Sequence, residues 1–138
     1  MTTFVDTNIL LDIVGADPVW LCWSTLQLEA CVRQGDVRIG PIVYAEGATR
    51  FALRRDWDEV LERLAITLDT EFSRPALYAA AQAHARYRAE GGARGQILPD
   101  FLIGAQPALT GAKLLTRDTA RYRTYFPMLA LIAPDTPR

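Results

Sequence analysis

Four acidic residues carry the chemistry that this chain most plainly offers: Asp6, Glu46, Asp100 and Asp118. Asp6 follows the apolar run Phe4-Val5, and Asp118 follows Leu114-Leu115-Thr116-Arg117. Parallel strands deliver side chains at their carboxyl ends to one rim, the crevice where open α/β sheets bind ligands. Carboxylates gathered on such a rim repel one another unless a hard cation lies between them, so the pattern points to a Mg²⁺ or Mn²⁺ site. Zinc is a poor match, because the chain has a single histidine, His84, and no suitably spaced cysteine ligands.

Taken singly, each acid has an ordinary explanation. Asp6 suits an N-cap, and Asp118 after a strand suits another. Glu46 precedes Arg50 by four residues, the favourable order for a helical ion pair. Asp100 in a first turn complements the helix dipole. Asp12 reads as a solvated or ion-paired helix residue, and His84 as a surface or packing residue. Three or four carboxylates converging on one rim are harder to explain without a compensating cation.

The elements that must position these acids alternate between strand-like and helix-like from end to end, which predicts an α/β fold with a mostly parallel sheet. Strands are expected at Thr2 to Val5, Val37 to Ile39, Ile66 to Leu68, Lys113 to Thr116 and Leu129 to Ala133. The first helix runs from Thr7 to Val14, capped by Asp6 or Thr7, and stops near Gly15. Pro18 then opens a second helix to about Arg33. Its broad apolar face (Trp20, Trp23, Leu26, Ala30 and Val32) calls for burial or an interface. Pro41 opens the helix that carries Glu46. Trp57 to Ala65 forms an amphipathic helix with Val60, Leu61 and Leu64 inward. Ser73 caps a long alanine- and arginine-rich helix that fades at Gly91-Gly92. Gly91 to Gln96, with Arg94, reads as a mobile loop beside the site. Pro99 starts the helix bearing Asp100, and Asp118 to Tyr125 forms a last short one.

Length and composition fit one domain with a filled core: 138 residues, half of them hydrophobic and 22% charged. A net charge of −1 argues against nucleic-acid binding by global electrostatics alone. Local basic patches remain open, and they would be arginine patches, since Lys113 is the only lysine. Cys22 and Cys31 would lie about 13 Å apart along a helix, too far for a disulfide, and are expected as buried, reduced thiols of a cytoplasmic protein. No signal peptide is visible at Met1-Thr2-Thr3, and Met128 to Ala133 is far too short to cross a bilayer.

Four segments together resemble the motifs of PIN-domain nucleases: Phe4-Val5-Asp6-Thr7-Asn8, Tyr44-Ala45-Glu46, Leu98-Pro99-Asp100-Phe101-Leu102-Ile103-Gly104-Ala105 and Leu114-Leu115-Thr116-Arg117-Asp118. Within that family the resemblance is to VapC-type ribonuclease toxins of bacterial type II toxin–antitoxin systems. It extends over essentially the whole chain. It implies a three-layer α/β/α sandwich around a central, mostly parallel sheet. It also implies metal-dependent cleavage of RNA, a homodimer, and a cognate antitoxin that lays an apolar helix along the toxin. By motif, Asp6 and Asp100 correspond to the principal Mg²⁺ ligands, with Mn²⁺ able to substitute. Glu46 and Asp118 complete the acidic cluster, and Thr7, Asn8 and Thr116 support it by hydrogen bonding. Arg117, Arg121 and Arg123 near the fourth motif are candidate phosphate contacts, with Arg94 a weaker one. Pro107 departs from the family pattern. An interior proline removes a helical hydrogen bond, so altered packing is expected about two turns beyond an intact Asp100.

Two other readings compete. A haloacid-dehalogenase-type phosphatase also starts from an Asp after the first strand, but it wants a second acid two residues on, where this chain has Asn8. A PIN-like binding module without activity is the alternative from another class, and the presence of all four acids speaks against it.

Overall fold

The computed structural model describes residues 1–92 and 98–134. In chain order the elements are β1 (Thr2–Val5), α1 (Thr7–Val14), α2 (Leu21–Gln34), β2 (Asp36–Ile39), α3 (Pro41–Ala48) and α4 (Arg54–Arg63). There follow β3 (Thr67–Leu68), α5 (Arg74–Ala89), α6 (Leu98–Thr110), β4 (Lys113–Leu115), α7 (Ala120–Tyr125) and β5 (Ala130–Ile132). The five strands form one sheet in the order β3-β2-β1-β4-β5, and all four pairings are parallel. With its helices flanking that sheet, the chain has the α/β/α architecture expected of it.

The strand order decides where a ligand can enter. From β1 the chain steps outward through β2 to β3, then returns to the other side of β1 for β4 and β5. The winding therefore reverses between β1 and β4, and crevices open at such switch points, beyond the carboxyl ends of the strands. Register brings the two ends level, with Val5 opposite Leu115. The next residue on each strand is polar: Asp6 on one side and Thr116 on the other.

The core beneath this crevice holds Val5, Ile39, Leu114 and Leu115 from the sheet, with Ile9, Leu10, Val43, Trp57 and Phe101 from the helices. Gly47 of α3 allows the Trp57 ring to pack against the helix, because a Cβ there would lie 2.5 Å from Trp57 Cζ2.

Four sequence expectations need correction. Helix α2 begins at Leu21, not at Pro18. The Asp17 carboxylate accepts the N–H groups of Val19 (2.8 Å) and Trp20 (2.9 Å), which holds Pro18 to Trp20 in a turn ahead of the helix. Burial, one of the two settings expected for the broad apolar face, is not met: only Ser24, Leu28 and Cys31 of α2 are buried, and Leu26 is 59% exposed. Helix α4 starts about a turn earlier than Trp57 and ends at Arg63. Finally, Cys31 is buried but Cys22 is exposed; both are free.

The expectations for Ser73 and His84 hold. Ser73 caps α5 by accepting the Ala76 N–H at 3.2 Å. His84 is a half-buried packing residue beside Phe101, with its Nε2 buried and lacking a hydrogen-bond partner. Helix α6 runs through the buried Pro107 to Thr110. Most of the glycine stretch, with Arg94, lies outside the described residues. No helix among them is long and apolar enough to cross a membrane.

Candidate functional site

Asp6 sits at the switch point, one residue past β1, with its N–H bonded to Leu115 O at 2.9 Å. Its side chain caps α1 by accepting the Thr7 N–H on Oδ1 at 2.7 Å. On Oδ2 it accepts the Thr116 hydroxyl at 2.7 Å and the Tyr122 hydroxyl at 3.1 Å, with Asn8 Nδ2 further off at 3.4 Å. Asp6 is only 5% exposed. Burial therefore dominates its acidity and pushes its pKa up to about 6, against the lowering effect of these hydrogen bonds. The charge of Asp100 adds to the rise. Tyr122 moves the same way: burial and the charges of Asp6 and Asp100 drive its pKa far up, so its phenol stays a neutral donor.

Tyr122 can reach Asp6 because α6 carries Gly104 beneath its ring. A Cβ at Gly104 would lie 2.9 Å from Tyr122 Cδ1 and 3.0 Å from Phe126 Cδ2.

The other three acids line the same cleft, a space of about 440 Å³ that Thr7, Asn8, Arg50 and Tyr122 also border. Glu46 enters from α3, the helix opened by Pro41, and accepts a short hydrogen bond from the Thr7 hydroxyl. The expected Glu46–Arg50 pair does not form among the described residues. Asp100, in the first turn of α6, is half-buried and accepts Arg121 Nη1 at 2.6 Å. Its pKa is raised by burial; the positive charge of Arg121 pulls it down, and the charges of Asp118 and Glu46 push it up. Asp118 lies in the loop before α7, exposed, with its Oδ2 3.7 Å from the same Arg121 nitrogen.

Thr7, Asn8 and Thr116 bond to the acids or to the loop that carries Asp118. The Thr116 hydroxyl donates to Asp6 and accepts the Asp118 N–H at 3.0 Å, tying the ends of β1 and β4 together. Asn8 Oδ1 accepts the Arg117 N–H at 3.2 Å.

The arginines divide by environment. Arg117 pairs with Asp12 through Nε (2.7 Å) and Nη2 (2.9 Å) and lies over the Trp20 ring, 4.8 Å from its centroid. Asp12 is 2% exposed and also accepts the Ser24 hydroxyl at 2.6 Å, so of its two expected environments it has the ion-paired one. Arg121 faces Asp100, whereas Arg123 is exposed on α7. Sequence reasoning passed over Tyr122 and the buried clamp of Asp12. The available signal for Asp12 was an acid inside the apolar run Leu10-Leu11-Asp12-Ile13-Val14, since such an acid must find a partner.

An all-oxygen donor set of carboxylates suits a hard divalent cation such as Mg²⁺, which keeps several waters and uses few protein ligands. Two observations agree with that chemistry: the charge of Asp100 raises the pKa of Asp6 while those of Asp118 and Glu46 raise that of Asp100, and a cationic guanidinium already stands between Asp100 and Asp118. Among the described residues no three acidic side chains are yet gathered as a ready coordination shell.

Fold and cleft thus define an α/β domain with acids converging at the switch point of a parallel sheet. Residues 3–127 match the PIN domain family model, and the chain belongs to that family, whose members are generally nucleases that use divalent metal ions. Solved structures share the fold. VapBC2 from Rickettsia felis, bound to a DNA fragment from its promoter, aligns with a TM-score of 0.71 and 20% identity over 96% of this chain and 98% of that one. VapBC-1 from nontypeable Haemophilus influenzae gives 0.70 and 18%, covering 96% and 98%. A toxin–antitoxin complex from Klebsiella pneumoniae gives 0.68 and 21%, covering 94% and 95%. No curated protein matches the sequence.

Proposed function

We propose that this chain is a Mg²⁺-dependent endoribonuclease, the toxin of a type II toxin–antitoxin pair of the VapC type, with Mn²⁺ able to replace Mg²⁺. The observation that carries the reading is the surplus of negative charge at one switch point: four carboxylates on a single cleft, two of them with pKa values raised by burial and by their neighbours.

Asp6 and Asp100 would hold the ion, with Glu46 and Asp118 completing the acidic cluster. Bound there, Mg²⁺ supplies Lewis-acid polarisation of a phosphate oxygen and makes an attacking water more acidic. The chain's own part is positioning. Thr7, Thr116 and Tyr122 fix both oxygens of Asp6, and the Thr7 hydroxyl orients Glu46 toward the same cleft. The chain's one histidine, His84, packs against Phe101 on α6, and no pair of histidines exists to catalyse attack by a ribose 2′-hydroxyl.

The remaining features follow the same reading. The protein would work in the cytoplasm as a single-domain homodimer. A cognate antitoxin would cover apolar surface such as Val19 and Leu26 beside Trp20 and Trp23, in keeping with the toxin–antitoxin complexes that share the fold. Arg123, exposed on α7, is a candidate phosphate contact; Arg117 is committed to Asp12 and serves the loop that carries Asp118.

The chemistry of the cut ends tests this. Attack by water should leave fragments without cyclic phosphates, readable by ligation and end-labelling of the cleaved RNA. Fragments ending in 2′,3′-cyclic phosphate would mean attack by the ribose hydroxyl and would overturn the mechanism.

A further inference from the structure

We propose that Arg121 is the protein's own counter-ion at the acidic cleft and sets its affinity for divalent cations by competing with them for Asp100 and Asp118. The inference rests on the metal-dependent reading above and adds a residue that works against metal loading.

The geometry is that of an exchangeable pair. A single nitrogen, Nη1, makes both contacts, 2.6 Å to Asp100 Oδ2 and 3.7 Å to Asp118 Oδ2. The three side chains keep partial exposure, 25% for Arg121, 34% for Asp100 and 49% for Asp118. Ion pairs of that kind are weak and yield to competing ions. The contrast with Arg117 is instructive, since that guanidinium uses two nitrogens on a carboxylate buried beneath it and rests on Trp20. Arg117 is built to stay. Arg121 is held at the rim because Tyr122, its neighbour, is anchored inside and bonded to Asp6. The Tyr87 ring, 5.8 Å from the guanidinium carbon, supports its other side.

An ion taking Asp100 must displace the guanidinium or accept a positive charge within a few ångströms, so the arginine weakens metal binding in either case. Only an ion of high charge density gains enough from the carboxylates to displace it, which favours divalent over monovalent cations. Without the ion, the same arginine lessens repulsion between Asp100 and Asp118.

The test is Mn²⁺ binding by calorimetry to EDTA-stripped wild type, R121Q, R121K and D100N. Glutamine at 121 should tighten Mn²⁺ binding by about tenfold or more, the order that one unit charge close to a divalent ion exerts even at the dielectric of water. Lysine, which keeps the charge, should stay within a few-fold of wild type. If wild type binds Mn²⁺ through Asp100 but R121Q binds no more tightly, the counter-ion role is wrong while the metal reading stands. If no variant shows binding that depends on Asp100, the metal reading itself fails and takes this inference with it. A second measurement needs no variant for its readout: the side-chain Nε–Hε resonance of Arg121 should shift as Mg²⁺ is titrated into ¹⁵N-labelled wild type. A resonance that stays fixed while Mg²⁺ binds also overturns the proposal.

Discussion

Asp6→Asn should make the metal-free protein more stable, and the gain should depend on pH. In the folded state the Asp6 pKa is pushed up to about 6 from an ordinary value of 3.8, because burial penalises the carboxylate. A carboxyl group with a raised folded pKa works against stability above that pKa. Its contribution is fully favourable below pH 3.8 and is lost as pH rises through 6. A rise from 3.8 to about 6 corresponds to a cost of about 3 kcal/mol at pH 8, roughly halved by pH 5 and nearly gone by pH 4. Asparagine removes that charge. It keeps an acceptor for the Thr7 N–H, while the Thr116 and Tyr122 hydroxyls must turn to accept from the amide, which takes back about 1 kcal/mol. The net gain expected is about 2 kcal/mol at pH 8, vanishing by about pH 4 to 5. Urea denaturation in EDTA, with both proteins at each pH, reads it directly. Asp100 is present in both proteins, so its own raised pKa largely cancels in the difference. A D6N variant no more stable than wild type at pH 8 would refute the claim that burial of this charge dominates the site.

Asp12→Ala strands the Arg117 guanidinium and the Ser24 hydroxyl, and should destabilise the fold by about 3 kcal/mol in urea, the low end for a broken buried pair because Arg117 is 26% exposed. A loss under about 1 kcal/mol would mean the clamp is ornamental. Thr116→Val removes the hydrogen bond that most lowers the Asp6 pKa, so the acidic limb of the pH–rate profile for cleavage should move to higher pH. An unmoved limb would dissociate Asp6 ionisation from activity. Gly104→Ala drives a methyl group against Tyr122 and Phe126; overpacking less the gain in helix propensity should cost about 1–2 kcal/mol, measured by chemical denaturation. A variant as stable as wild type would show that Tyr122 is not tightly seated.

Features set by neighbours in sequence were legible before the structure, and those set by partners far along the chain were not. Alternation of apolar runs with helical periods predicted the parallel sheet, and Asp6 and Thr116 were placed at strand ends because the strands end where their apolar runs do. The Ser73 cap is one such local feature, accepting the N–H of Ala76 three residues on. The partners of Asp12 are 12 and 105 residues away, and Tyr122 reaches Asp6 across 116, so neither pairing has a local signature. The arginines near the fourth motif look alike in the sequence, yet α7 turns Arg121 onto Asp100, and the loop before it sends Arg117 to Asp12. Pro18 misled for a local reason: a proline signals a helix start, but the side chain of Asp17 had already claimed the N–H groups that follow it.

The most direct test of the acidic cleft as a metal-dependent ribonuclease centre is a single cleavage series on bacterial total RNA. Purified wild type should cut it with Mg²⁺, stop on addition of EDTA and resume when Mg²⁺ is restored in excess. Asp100→Asn, shown folded by its unfolding transition, should be inert throughout. Cleavage that persists in EDTA, or an Asp100→Asn variant that cuts as fast as wild type, would contradict the account.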